Sequence, residues 1–175
     1  MNRRSVLLAG GASLGSALAG CLGGSGGAGG QSRGQGLTLP TLAVEGSPGG
    51  SVVIRPPGKV TVLDFFATWC APCKPEMANL RAARSQFDPA DVFIISITQE
   101  TDEEAITQFW RRYEGTWPVA IDRDLDATQA YGITGIPTII ILTPDGQQTF
   151  RHTGLAGEKT IVSNIDRALT DAGIR

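Results

Sequence analysis

Residues 60–73 read VTVLDFFATWCAPC, an apolar run that leads straight into two closely spaced cysteines. Its first seven residues form a nearly continuous apolar run, as expected of a central strand covered on both faces. A single carboxylate, Asp64, interrupts the run. Burying it ionised would be expensive, so its pKa should rise and its proton should be shared with a nearby group. Residues 67–71 then lead into a helix predicted over 72–84. Met77, Leu80, Arg81 and Arg84 are spaced along it to give one inward and one solvated side.

A strand followed at once by Cys-x-x-Cys at a helix start has a chemical consequence. Two intervening residues let the sulfurs of Cys70 and Cys73 meet within one turn. Cys70 falls beside unpaired helix N-terminal amides, which favour thiolate over thiol. A thiolate attacks a partner disulfide, and Cys73 can then resolve the mixed disulfide from within. Pro72 lacks an N–H that the first helical turn would not have used. Lys74 adds positive charge just past the pair. Two other readings of the pair compete. Zinc wants four ligands, and beyond the pair the domain offers His152 and no further cysteine. A purely structural disulfide across two residues would constrain the unfolded chain little.

Downstream, residues 92–98 (VFIISIT) read as a second buried strand. Asp102 caps a helix predicted to run to about Tyr113, with Glu103 and Glu104 in its first turn and Arg111 and Arg112 in its last. Residues 117–121 read as a short strand or extended entry, and 124–131 as a short helix with Gly132 as its C-cap. Residues 138–142 and 148–153 form strands on either side of a Pro144-Asp145-Gly146 turn, and 158–172 close the chain as an amphipathic helix. Upstream, 37–44 and 51–55 read as peripheral strands or a hairpin. Strands alternating with helices need parallel crossovers, while the Pro-Asp-Gly turn supplies an antiparallel pair. The fold class is therefore α/β, a mixed central sheet flanked by helices. No GxGxxG follows a predicted strand and no GxxxxGK[ST] motif is present, so nothing argues for a nucleotide cofactor.

The segment Phe66-Ala67-Thr68-Trp69-Cys70-Ala71-Pro72-Cys73 resembles the active site of the thioredoxin superfamily. Its FFATWCAPC is similar to the FWATWCxPC typical of the membrane-tethered TlpA/ResA-like branch. The resemblance covers residues 37–175 and implies a thioredoxin-like three-layer sandwich, with residues 98–126 as an extra central helix and strand. It implies a thiol–disulfide oxidoreductase working through Cys70 and Cys73 with no cofactor and no metal. Ile136-Pro137, after Gly132-Ile133-Thr134-Gly135, looks like the family's cis-proline loop, which faces the two cysteines. By the same resemblance Trp69, Pro72, Ile136 and Pro137 are the substrate-docking residues. Asp64, six residues before the first cysteine, matches the thioredoxin aspartate that assists deprotonation of the second cysteine. The tethered branch often carries asparagine there, so this chain departs toward the thioredoxin pattern. Glu76 matches an acidic residue characteristic of the tethered branch. Both carboxylates stand as candidate proton acceptors, against the plainer readings of Glu76 as a solvated helix residue and Asp64 as a strand-edge residue. Trp110 and Trp117 read as packing residues.

The resemblance further implies a monomer that exchanges disulfides with an exported client protein and is recharged by an upstream electron donor. A reductase is the first expectation; an oxidase or isomerase would use the same dithiol at a more oxidising potential. A peroxiredoxin needs Pro-x-x-x-Thr-x-x-Cys, and Thr68 is followed three positions later by Ala71. A copper-delivery relative would need Cys-x-x-x-Cys, one residue longer than the spacing here.

The N-terminus supplies the address. Arg3 and Arg4 precede a weakly apolar stretch and small residues, the order of an export signal over residues 1–20. That stretch falls short of the ~20 strongly apolar residues a bilayer core requires. Leu18-Ala19-Gly20-Cys21 resembles a lipoprotein lipobox with Cys21 as the lipidated residue, and the paired arginines resemble, less specifically, a twin-arginine signal. An uncleaved short anchor is the alternative. Residues 21–36 are dense in glycine and read as a flexible tether spanning a few tens of ångström, roughly 5–6 Å times the square root of residue number. The expectation is a domain held by lipid on the outer side of the cytoplasmic membrane. The 175-residue chain is 41% hydrophobic with net charge −2, so no basic field exists to attract nucleic acid. Loss of residues 1–20 would remove two arginines and no acid, taking −2 to −4.

Overall fold

The computed structural model describes Gly34 and residues 36–175; the leader, Cys21 and nearly all of the tether lie outside these residues. The apolar runs form the middle of the sheet. β1 (Thr38–Val44) and β2 (Ser47–Val53) make an N-terminal hairpin, and β3 (Val60–Phe65) and β4 (Val92–Thr98) are the two buried strands read from sequence. They are followed by the short β5 (Val119–Ile121), then β6 (Thr138–Leu142) and β7 (Gln148–Thr153). β3 pairs parallel with β4 and antiparallel with β6, while β5 lies parallel to β4 and antiparallel to β1. The sheet order is β2-β1-β5-β4-β3-β6-β7.

The pleat sends alternate residues to opposite faces. Val60, Val62, Ile94, Ile139 and Ile141 face the layer of α1 (Cys73–Arg84), α2 (Glu103–Arg112) and α4 (Glu158–Asp171). Leu63, Phe65, Ile95, Ile97 and Ile140 face the other way, against Ala127 of α3 (Asp126–Ala130), Tyr131 and Leu39 of the hairpin. The result is the expected thioredoxin-like α/β sandwich, with α2 and β5 as the extra inserted elements. Asp64 and Ser96 sit opposite each other in the β3–β4 register. By the same alternation both side chains point into the layer of α1, α2 and α4.

Several boundaries differ from the sequence reading, two of them for clear physical reasons. β2 starts at Ser47 rather than 51, because Pro48 and Gly50 pair with Ala43 and Thr41 of β1 although the Pro-Gly-Gly run looks like a turn. The true turn is Glu45-Gly46. Helix α3 begins at Asp126 rather than 124, after Leu125 in a left-handed conformation. Its first-turn amides at Ala127 and Thr128 are capped by the fully buried Asp122 carboxylate, from outside the helix.

Gly46 has φ +74°, and a Cβ there would fall on the Thr116–Trp117 peptide. Backbone cannot yield as a flexible side chain does. Gly46→Ala should therefore destabilise the domain by about 1–3 kcal/mol, combining left-handed strain with overpacking. Urea unfolding checks this, and an unchanged midpoint would show that the close approach carries no cost.

Candidate active site

Cys70 and Cys73 are joined as a disulfide, with their Cα atoms 5.4 Å apart. Pro72 occupies the N-cap of α1 and makes no side-chain cap, so the first-turn amides depend on other acceptors. One of them, the Cys73 N–H, donates to Cys70 Sγ at 3.3 Å. In the reduced protein the same amide would meet a thiolate, which is the species it favours. Both cysteines are buried, at 3% and 2% exposure, whereas Trp69 beside them is 72% exposed.

The loop that presents the cysteines is tied down from β4. The Glu100 carboxylate accepts from the Thr68 amide at 2.6 Å and the Thr68 hydroxyl at 2.7 Å. Opposite lies the Ile136–Pro137 peptide, which is cis as the motif implied. Between the two runs a cleft of about 500 Å³, lined by Phe66, Trp69, Glu100, Thr134 and Ile136 among others. Pro137 is itself buried, and its carbonyl accepts from the Gly154 amide at 2.8 Å.

Behind the dithiol, Glu76 stands three residues beyond Cys73, on the same face of α1. It is 1% exposed, as is Asp64. Burial overturns both the solvated reading of Glu76 and the strand-edge reading of Asp64. Glu76 Oε1 accepts from the Ala156 amide at 2.8 Å, and Asp64 Oδ2 accepts from the Ser96 hydroxyl at 2.6 Å. The remaining oxygens, Asp64 Oδ1 and Glu76 Oε2, have no hydrogen-bond donor among the described residues, and the two carboxyls are near enough for each to shift the other's protonation. Two acceptor oxygens form a hydrogen bond only with a proton between them. Desolvation pushes Asp64 up to about 7, against the opposing pull of Ser96 and Glu76. Desolvation, and then the neighbouring Asp64 charge, pushes Glu76 up to about 9. At neutral pH the pair thus retains one proton and one site able to accept another.

The chain matches the Redoxin family over residues 35–169, most of its length. The chain belongs to the Redoxin family. This redoxin is 31% identical over 121 residues to the thiol–disulfide oxidoreductase ResA of Halalkalibacterium halodurans, covering 69% of each protein. It is 28% identical over 132 residues to ResA of Bacillus subtilis, covering 75% of this chain and 74% of that one. Its fold superposes on a secreted Mycobacterium tuberculosis disulfide oxidoreductase homologous to E. coli DsbE, with TM-score 0.65 and 21% identity. That match covers 78% of this chain and 98% of the other. With a Cys-x-x-Cys disulfide at the head of α1, this redoxin is a thiol–disulfide oxidoreductase of the thioredoxin superfamily.

The redoxin fold gathers Trp69, Cys70, Pro72 and Cys73 at the start of α1, and brings Asp64 to Glu76. His152, the sole histidine, lies on the edge strand β7, stacked on Phe150 at 6.2 Å between ring centroids. Glu100 was not anticipated from sequence, although a carboxylate just past the C-terminal end of a parallel strand is a recognisable signal. Ser96 was also missed. A polar residue in register with Asp64, inside a neighbouring apolar strand, is the pattern that would have found it.

Proposed function

We propose that this redoxin reduces disulfides of exported client proteins from the outer side of the cytoplasmic membrane. In this reading Cys70, as thiolate, attacks a client disulfide, and one client sulfur leaves. Cys73 then attacks Cys70 Sγ, forming the intramolecular disulfide and releasing the second client thiolate. The client disulfide gains two electrons and the dithiol loses them. Asp64 and Glu76 take the Cys73 proton as it attacks and return one when the disulfide is reduced again. A pair holding one proton can serve in both directions.

The single observation that carries this reading is the buried acid pair one helical turn behind Cys73. The exposed Trp69, with Ile136 across the cleft and Pro72 and Pro137 close to them in the chain, would receive the client segment. Recharging requires an upstream electron donor. The membrane attachment rests on the lipobox reading of Cys21, with the residues before it as the export signal and those after it as the tether. Among the described residues no helix is long and apolar enough to cross a membrane.

The reduction potential of the Cys70/Cys73 pair tests the direction of flow. A value near thioredoxin's, roughly −270 mV, is expected; a value near roughly −120 mV would make the protein an oxidant and overturn the reductase reading.

A further inference from the structure

Ser96 and Trp117 have no part in the scheme above, yet they are joined to it by two buried hydrogen bonds. The Trp117 indole Nε1 donates to Ser96 Oγ at 2.8 Å, and Ser96 Oγ donates to Asp64 Oδ2 at 2.6 Å. Ser96 is 0% exposed and Trp117 1%. We propose that Trp117 and Ser96 are positioning residues that decide which buried carboxyl holds the shared proton, keeping it on Glu76 and leaving Asp64 as the base for the Cys73 thiol. The proposal rests on the reading of the acid pair as the proton acceptor of the dithiol.

Donor accounting gives the direction. An indole N–H can only donate, so the bond to Ser96 has one possible sense. Ser96 Oγ thus accepts from the indole and turns its one proton to Asp64 Oδ2. A hydroxyl donated at 2.6 Å has the length of a bond to an ionised carboxylate. The indole behind the hydroxyl polarises it further, strengthening its hold on a negative Asp64. Glu76 has no such chain, only the Ala156 amide on Oε1. A proton on Glu76 therefore sits on Oε2 and donates to Asp64 Oδ1, satisfying the last two unpartnered oxygens. The reverse placement would leave the Ser96 proton directed at a neutral acid.

The groups acting on the pair are Ser96 from β4, the Ala156 amide before α4 and the two carboxyls themselves. The disulfide above them is uncharged in this state. During resolution the Cys73 S–H bond breaks, its proton goes to Asp64, and its electron pair forms the bond to Cys70 Sγ. The Cys70–client bond breaks as the client thiolate departs. Glu76 keeps its own proton throughout.

Trp117 is held for this task. Its ring packs edge-on against Trp110 at 5.3 Å between centroids, and Trp110 Nε1 donates to the Glu45 carbonyl at 3.2 Å. The insertion that carries both tryptophans thereby reaches the active-site carboxyls through Ser96.

Carboxyl-carbon NMR of the oxidised full chain, labelled at Asp and Glu, reads the order of ionisation without using activity. Asp64 should lose its proton at the lower pH step and Glu76 at the higher; Glu76 ionising first overturns the proposal. Ser96→Ala should raise the Asp64 step by about one pH unit, the worth of a hydrogen bond to a charged group. Ser96→Thr, which keeps the hydroxyl, should restore it, and Trp117→Phe should shift it the same way as Ser96→Ala but by less. A Ser96→Ala chain that titrates like the wild type overturns the relay even if the acid pair is catalytic. An Asp64→Asn chain with the wild-type pH–rate profile overturns the acid pair's part in the chemistry, whatever the order of ionisation.

Discussion

Cys70→Ser should eliminate client-disulfide reduction, while Cys73→Ser should leave the first attack intact and arrest the protein as a covalent complex with its client. The asymmetry follows from where the sulfurs sit. Cys70 Sγ receives the Cys73 amide at the amino end of α1, beside the exposed Trp69. Its thiolate is both stabilised and adjacent to the surface where an extended client segment would lie. Cys73 sits inside the first turn of α1, facing the layer that holds Asp64 and Glu76. It is placed to attack Cys70 and poorly placed to meet a client first. Loss of the attacking nucleophile should lower turnover on the order of 10³-fold or more, the scale on which removal of a covalent catalyst is felt. The Cys73→Ser complex should run as a higher-mass species on non-reducing gels and dissolve in dithiothreitol. Equal trapping by both variants would mean that the two sulfurs are interchangeable, and would remove the assignment of roles.

How far the sequence carried this picture depended on the kind of signal. Strands buried on both faces, such as β3 and β6, announce themselves as apolar runs, and the site loop between β3 and α1 follows from FFATWCAPC. Elements held by contacts from distant sequence were less legible. Pro48-Gly49-Gly50 is a run of turn-forming residues, yet Pro48 and Gly50 pair in register with β1, and α3 takes its cap from Asp122 four residues upstream of its first residue. Asp64 was visible as an anomaly because a charge inside an apolar run has no cheap explanation. Its partners were not, because period and propensity say nothing about which buried polar groups meet across elements. Ser96 looks unremarkable in VFIISIT until the β3–β4 register sets it opposite Asp64. Trp117 reads as core until its indole nitrogen is traced to Ser96.

The acid pair also makes stability depend on pH in the direction opposite to that of most carboxylates. A carboxyl held by a cation is lowered in the folded state, and folding loses that help as pH falls. Asp64 and Glu76 are raised instead, by burial first, to about 7 and about 9 from ordinary values near 4. Below the unfolded values both states are protonated and the pair contributes no pH dependence. Between there and about pH 9 the native protein keeps protons that the unfolded chain releases, so stability must fall as pH rises. Each retained proton gives a slope of about 1.4 kcal/mol per pH unit. Glu76→Gln removes one titrating group, and its amide can still accept from Ala156 while donating to Asp64 Oδ1. Urea unfolding of the oxidised full chain between pH 5 and 8 should show the wild type losing stability steeply. The Glu76→Gln curve should be shallower by up to about 1.4 kcal/mol per pH unit, so that the variant gains on the wild type as pH climbs. Parallel curves would mean that Glu76 ionises freely in the native protein. A carboxyl that ionises freely holds no shared proton, and Asp64 would then stand alone behind Cys73.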